Sequence, residues 1–295
     1  MLFEAVPNFS EGRDPELVRE IVRPVREVSG VHVLDLSSDP DHNRSVLTLA
    51  GEREPLLEAA VALAASCMRH IDLEAQTGAH PRIGALDVLP FIPLQEATME
   101  AAADLARAAG ERLGESGIPV YLYEYAASAE HRRNLATVRR GGYEALKTRC
   151  AEPEWRPDFG PAELPRWGAT AVGARRFLLA FNVFLESGAV EVARSIASEL
   201  RERDGGLAGV KALGLLVEGR AQVSMNLTDI ERTGLGEALE AVRRSARQRG
   251  VAVHSTELIG LAPLDAVAAS ARHYLGLRHL ERGSILESRL WEQRR

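Results

Sequence analysis

The pattern of hydrophobic and polar positions predicts the same order of elements in both halves of the chain. In the first half, a proline follows Asp14, and an N-cap aspartate with proline at the first helical position is a common helix start. Apolar positions then recur at helical spacing until Gly30. The predicted order is a strand at 2–6, this helix, strands at 31–36 and 45–50, a helix at 54–71 and a strand at 88–92, followed by a helix at 98–113 and a strand at 120–123.

The second half repeats this order. The predicted elements are a strand at 176–184, a helix at 188–203, strands at 210–217 and 221–227, a helix at 236–249 and a strand at 251–259. Each half therefore reads β-α-β-β-α-β, the order of ferredoxin-like modules. We predict an α/β (α+β) fold of two ferredoxin-like βαββαβ modules packed together, with extra C-terminal helices. The expected domains are residues 1–175 and 176–295.

The segment 152–170 separates the two repeats and has an unusual composition. It contains four prolines and two of the three tryptophans of the chain. A flexible linker is rich in glycine and serine and lacks tryptophan, so this segment is predicted to be stiff and anchored. We expect it to lie across the seam between the modules, where ligand sites are common.

Composition and charge exclude several classes of function. The chain has 295 residues and a net charge of −6, without the basic excess of a nucleic-acid-binding protein. Lys147 and Lys211 are the only lysines, and neither lies in a phosphate-loop or Schiff-base context. Cys67 and Cys150 have no metal-ligand spacing, and no apolar run is long enough for a membrane span. We therefore predict a cytoplasmic protein that binds neither nucleic acid nor membrane.

A histidine bracketed by glycines is the first candidate for chemistry. His80 lies in the segment TGAHPRIG at 77–84, between a predicted helix and a predicted strand. Its ordinary pKa suits a general base at neutral pH, and Arg82 could bind a carboxylate with both arms of its guanidinium. The alternative is a loop histidine that only hydrogen-bonds the backbone.

A second polar loop precedes the strand at 45–50. Asn43 and Arg44 end this loop, so they could project to the same edge as His80. Asp39, Asp41 and His42 could suggest a metal site, but a tight loop rarely aims three such groups at one centre. The competing interpretation is an ordinary polar turn, and no metal is predicted.

The strand at 222–227 is the third candidate. With period-two alternation, Gln222, Ser224 and Asn226 share one polar face. That face either lines a polar cavity or is exposed to solvent. The chain has no GxGxxG, GxSxG or HExxH motif, which argues against a Rossmann oxidoreductase, a serine hydrolase and a zinc peptidase.

Taken together, these segments resemble the glutamate formimidoyltransferase family, and the resemblance spans essentially the whole chain. The matching segments are VPNFSEG at 6–12, NR at 43–44, GAHPRIGALD at 78–87, PFIP at 90–93, PVYLY at 119–123, PDFGP at 157–161, WGAT at 167–170, GAR at 173–175, AQVS at 221–224 and NL at 226–227. The two halves then correspond to the N-terminal and C-terminal formiminotransferase subdomains.

The resemblance implies transfer of a formimidoyl group between 5-formimidoyltetrahydrofolate and L-glutamate, in histidine degradation. It implies His80 as the catalytic residue and tetrahydrofolate as co-substrate, with no prosthetic group. A separate cyclodeaminase would act downstream, and a homodimer is expected. Two alternatives stay open: transfer of a formyl group from 5-formyltetrahydrofolate to glutamate, and folate binding without turnover.

Further candidates are expected to contact the substrates. The substrate-binding candidates are Asn8, Asn43, Arg44, Arg82, Gln222 and Asn226, of which the arginines could hold carboxylates of glutamate or of folate. The resemblance implies where folate binds. The folate-binding candidates lie in the segment rich in proline and tryptophan: Gly160, Pro161, Pro165, Arg166, Trp167, Gly168 and Thr170.

Overall fold

A computed structural model describes residues 1–78 and 81–292, and these residues form two compact units. The first unit comprises Met1–Arg176, and the second begins at Phe177. Each unit has a sheet, several helices and a hydrophobic core of its own. The prediction of a mixed α/β fold is confirmed.

The first unit contains most of the predicted elements and several that were not predicted. Its strands are β1 (Phe3–Ala5), β2 (Asn8–Phe9), β3 (Val31–Asp39), β4 (Arg44–Gly51), β5 (Leu86–Pro93), β6 (Val120–Glu124) and β7 (Thr170–Ala174). Its helices are α1 (Pro15–Arg26), α2 (Arg53–His70), α3 (Met99–Glu115), α4 (Leu135–Val138) and α5 (Gly142–Arg149). Asp14 caps α1 as predicted, because its side chain accepts from the backbone N–H groups of Glu16 and Leu17.

One seven-stranded sheet organises the first unit. Across the sheet, β3 lies beside β4, then come β1 and β2 in one strand position, and then β5, β7 and β6. The pairs β5–β7 and β7–β6 are parallel, and the others are antiparallel. Helices α1, α2 and α3 bury their apolar side chains in the core of this unit.

The strand β7 was missed by the sequence analysis because its sequence, TAVGA, is rich in small residues. Gly173 is required there, since a Cβ would lie 2.6 Å from the ring of Tyr123 on the neighbouring strand β6. The strand β2 was missed because two residues are too few to show an alternation.

The second unit follows the predicted order. Its elements are β8 (Leu179–Leu185), α6 (Val190–Leu200), β9 (Val210–Val217), β10 (Arg220–Leu227), α7 (Leu235–Gln248), β11 (Val253–Ile259), α8 (Leu264–Leu275) and α9 (Leu286–Glu292). The strands form an antiparallel sheet in the order β11-β8-β10-β9. Glu218 and Gly219, both with positive φ, make the two-residue turn between β9 and β10. In the described ranges, no helix is both long and apolar enough to span a membrane.

Candidate functional site

The predicted catalytic residue His80, together with Ala79, lies outside the described residues. The residues on both sides are described, up to Gly78 and from Pro81 onwards. The site is therefore defined by the contacts that hold the two ends of this loop, residues 71–85.

Asn43 holds the N-terminal part of the loop. It is buried and has a φ of 49°, which asparagine tolerates better than most residues. Its Oδ1 accepts from the N–H of Gly12 at 3.0 Å, and its Nδ2 donates to the carbonyl of Thr77 at 3.0 Å. Its own carbonyl accepts from Nε2 of Gln76 at 3.1 Å. Both side-chain polar atoms of Asn43 are thus used within the protein.

Gly78 continues this close approach, since a Cβ at its position would lie 2.4 Å from the carbonyl oxygen of His42. Only glycine fits this backbone contact without a shift of the loop. Gly78, the first glycine of the segment TGAHPRIG, therefore allows the loop to lie directly against His42.

Arg82 holds the C-terminal part of the loop. Its Nε donates to Oε1 of Gln76 at 2.8 Å, and its Nη2 donates to the carbonyls of Leu73 and Gln76 at 3.2 and 2.9 Å. Its Nη1 donates to Oε1 of Glu144 at 2.9 Å. The carbonyl of Arg82 accepts from the N–H of Tyr143 at 2.7 Å, so the first turn of α5 contacts both its backbone and its side chain.

A buried ion pair lies beneath the same end of the loop. Asp87, fully buried at the start of β5, accepts from the N–H of Ile83 at 2.7 Å and pairs with Arg139, which lies between α4 and α5. Arg44 is half-buried nearby, and burial followed by the charge of Arg139 lowers its pKa, against the opposing charges of Asp87 and Asp39. Two guanidinium groups, those of Arg44 and Arg139, therefore lie near the Asp87 carboxylate at this end of the loop.

Arg139 was not found by the sequence analysis. It follows a helix of four residues, which is too short to give a periodic signal. Its Nε is buried and has no hydrogen-bond partner among the described residues.

The structure brings the loop together with the predicted folate-binding segment. The N–H of Ala85 donates to the carbonyl of Trp167, and the N–H of Ala169 donates to the carbonyl of Ile83, both at 2.8 Å. Gly84 makes this approach possible, because a Cβ there would lie 1.9 Å from the carbonyl oxygen of Ala169. Gly168 is equally constrained, with a φ of 71° and a Cβ position 2.1 Å from the carbonyl oxygen of Ile83.

The predicted folate-binding residues differ in what they offer a ligand. Pro161 and Arg166 are exposed and Pro165 is half-buried, whereas Thr170 is buried and donates to the carbonyl of Leu86 at 2.7 Å. Trp167 packs against the core, and its indole N–H is buried without a partner among the described residues.

Gly160 lies apart from Trp167, at the other end of the segment. Its φ is 82°, and a Cβ would lie 2.2 Å from the carbonyl oxygen of Ile118. The neighbouring Asp158 accepts from the N–H of Leu122 at 2.7 Å and from Nη1 of Arg132 at 2.8 Å. These contacts anchor the segment to β6 within the first unit.

The remaining substrate-binding candidates are spread over both units. Asn8, in β2, is half-buried and donates to the carbonyl of Val6 at 2.8 Å. On β10 of the second unit, Gln222 is buried while Asn226 is exposed. The predicted polar face of this strand is thus covered at one end and open at the other.

The loop around Asp39 forms a polar turn. Oδ1 of Asp39 accepts hydrogen bonds from the N–H groups of Asp41 and His42, both at 2.9 Å. No group of three or more histidine, cysteine, aspartate or glutamate side chains suited to a metal ion occurs among the described residues.

Comparisons with known proteins identify the family of the chain. The family model for the N-terminal subdomain of the formiminotransferase domain matches residues 2–175, and that for the formiminotransferase domain matches residues 180–288. A glutamate formimidoyltransferase of Thermoplasma acidophilum is 43% identical over 98% of this chain and 97% of its own length. The enzyme of that name from Streptococcus pyogenes is 40% identical over 98% of each chain. The formimidoyltransferase-cyclodeaminase of Sus scrofa is 44% identical over 92% of this chain and 52% of its own. The chain belongs to the formiminotransferase family.

Proposed function

We propose that this protein is a glutamate formimidoyltransferase that moves the formimidoyl group between N5 of tetrahydrofolate and the amino group of L-glutamate, with His80 as general base and acid. The observation that carries the proposal is the hydrogen bonding of the His80 loop to the segment around Trp167. This pairing supports a site in which a folate ring and a proton-transfer group lie side by side.

The proposed reaction needs one group that first accepts a proton and then returns it. The amine of glutamate attacks the formimidoyl carbon and forms a C–N bond, which gives a tetrahedral intermediate with a positively charged nitrogen. His80 takes a proton from that nitrogen and delivers it to N5 of the folate as the bond from the carbon to N5 breaks. The chain supplies this proton relay, and tetrahydrofolate leaves as a product rather than a bound cofactor.

Binding of two anionic substrates is assigned to Arg44 and to Trp167. Arg44 could hold a carboxylate of glutamate or of the folate tail, because it is half-buried and lies near a second half-buried arginine, Arg139. Trp167 could lie against the pteridine or aminobenzoyl ring. The roles of Asn8, Asn43, Gln222 and Asn226 in substrate binding, and of Gly160, Pro161, Pro165, Arg166, Gly168 and Thr170 in folate binding, stay predictions.

The finer structural expectations also stay predictions. The ferredoxin-like assignment is supported by the order β-α-β-β-α-β from β8 to β11 in the second unit, and by the same order from β1 to β5 in the first unit if β1 and β2 count as one strand position. The predicted boundary between residues 175 and 176 lies one residue before the observed division, which follows Arg176. A homodimer, a cytoplasmic location, a separate cyclodeaminase and the absence of a prosthetic group are expectations from the family resemblance and the composition.

The test compares the wild-type protein with His80→Ala in two assays. We expect His80→Ala to lose glutamate-dependent release of tetrahydrofolate from 5-formimidoyltetrahydrofolate, while its dissociation constant for 5-formyltetrahydrofolate, measured by calorimetry, stays within a factor of about 3. Loss of both would give His80 a structural role. Faster turnover of 5-formyltetrahydrofolate than of the formimidoyl compound by the wild-type protein would replace the proposed reaction with formyl transfer.

A further inference from the structure

We propose that Arg82 is a positioning residue, which fixes the His80 loop through Gln76 and Glu144 and does not bind a substrate carboxylate. The proposal rests on the proposed role of His80 in the transfer reaction. The sequence made Arg82 a candidate for binding a substrate carboxylate. The proposal instead gives it the task of holding the loop in place.

The first argument is that the guanidinium is fully engaged. Its three nitrogens all donate hydrogen bonds, to Gln76, to Glu144 and to two backbone carbonyls, at 2.8 to 3.2 Å. The side chain is only 15% exposed. A bidentate grip on a substrate carboxylate needs two free parallel donors, and each pair of donors here already has protein acceptors.

The second argument is the place of these partners in the sequence. Arg82 follows His80 by two residues, whereas Leu73 and Gln76 precede it. The hydrogen bonds of Arg82 to both residues therefore close the loop on itself and bring together the chain before and after His80. A side chain with this bonding pattern fixes the described residues on the two sides of His80 relative to each other.

The third argument concerns Glu144, which links the loop to α5. Its side chain is 65% exposed and, among the described residues, accepts from its own backbone N–H and from Arg82. Partial desolvation raises the pKa of Glu144, but these two hydrogen bonds and the charge of Arg82 outweigh it, so that the pKa is lowered. Glu144 thus stays ionised at neutral pH and fixes the outer arm of the guanidinium.

The fourth argument is that Arg82 is held through its backbone as well. Its carbonyl accepts from the N–H of Tyr143 at 2.7 Å, and Gly142 leaves the space for this contact, because a Cβ there would already lie 3.3 Å from the same carbonyl oxygen. The first turn of α5 is thus a fixed support for the residue that closes the loop.

The experiment uses Glu144→Gln in the full-length protein, with Arg82→Lys as a second variant. Glu130→Gln is the matched control, since it also removes the charge of an exposed glutamate that is paired with an arginine in the first unit. We expect Glu144→Gln to lower kcat about threefold to tenfold and Arg82→Lys to lower it about tenfold or more, with both KM values within about twofold of wild type. The double variant should be no slower than Arg82→Lys alone, because both substitutions act on one contact.

Amide hydrogen exchange gives a readout that does not depend on turnover. The backbone amides of residues 73–78 and 82–83 should exchange faster in Glu144→Gln than in the wild-type protein and in Glu130→Gln. Unchanged exchange would overturn the proposal even if the protein catalysed another reaction. A rise in the KM for glutamate or folate with kcat preserved in Arg82→Lys would also overturn it, because that result identifies a substrate ligand.

Discussion

Replacement of Asp87 by asparagine tests how far the buried ion pair beneath the His80 loop stabilises the first unit. Asp87 has a side chain only 1% exposed, and that of its partner Arg139 is 13% exposed. Asparagine has nearly the same shape and keeps an oxygen that can accept from the N–H of Ile83. Asp87→Asn therefore removes the negative charge while the packing is kept.

The expected loss of stability follows from the groups that remain around Arg139. Breaking a buried ion pair by removing one partner costs about 3–5 kcal/mol, because the other charge is left without compensation. The retained hydrogen bond to Ile83 offsets about 1 kcal/mol of this. The free energy of unfolding should therefore fall by about 2–4 kcal/mol. Arg44 adds to this cost, because the substitution leaves two neighbouring positive groups, Arg44 and Arg139, without the Asp87 carboxylate.

Urea unfolding at pH 7, followed by tryptophan fluorescence, measures this loss, because Trp155 and Trp167 both lie in the first unit. Asp104→Asn is the control: it removes an exposed ion pair with Arg107 and should cost no more than about 1 kcal/mol. The double variant Asp87→Asn/Arg139→Met should be more stable than the sum of its single substitutions predicts. A loss below about 1 kcal/mol in Asp87→Asn would refute the reasoning, since it would mean that the guanidinium finds water or another acceptor.

Three further substitutions probe the neighbouring contacts. Gly84→Ala should lower both stability and kcat, measured by urea unfolding and turnover, because its methyl group would meet the carbonyl of Ala169; wild-type values would contradict the close approach. Trp167→Ala should weaken folate binding by about 1–3 kcal/mol in calorimetry if the ring stacks on folate, and an unchanged dissociation constant would remove it from the site. Burial raises the pKa of Glu4 against the charge of Arg175, so its stabilising contribution is complete below the usual pKa of 4.5 and is lost as the pH rises through the folded-state pKa. In urea unfolding, the free energy of unfolding of Glu4→Gln minus that of the wild-type protein should therefore be more positive at pH 8 than at pH 4. The same difference at both pH values would contradict this.

The elements that the sequence predicted correctly are those with strong local signals. The helix α1 has an N-cap aspartate and a proline at its start, and the turn between β9 and β10 has a glycine where positive φ is needed. The glycines around His80 likewise marked a loop of close backbone contacts.

The contacts that the sequence could not predict join residues far apart in the chain. Glu144 is 62 positions from Arg82, and Arg139 is 52 positions from Asp87. Both partners lie in or beside short helices, whose periodicity is too weak to predict their position. The sequence therefore indicated a loop arginine suited to carboxylates, while its acceptors within the protein became visible only in the structure.

The most direct test of the proposed activity is the rate at which the purified protein releases tetrahydrofolate from 5-formimidoyltetrahydrofolate, measured over a range of L-glutamate concentrations. The account predicts a rate that rises with glutamate and saturates, with N-formimidoyl-L-glutamate formed in equal amount. A rate that does not depend on glutamate, or no release while folate still binds, would contradict it.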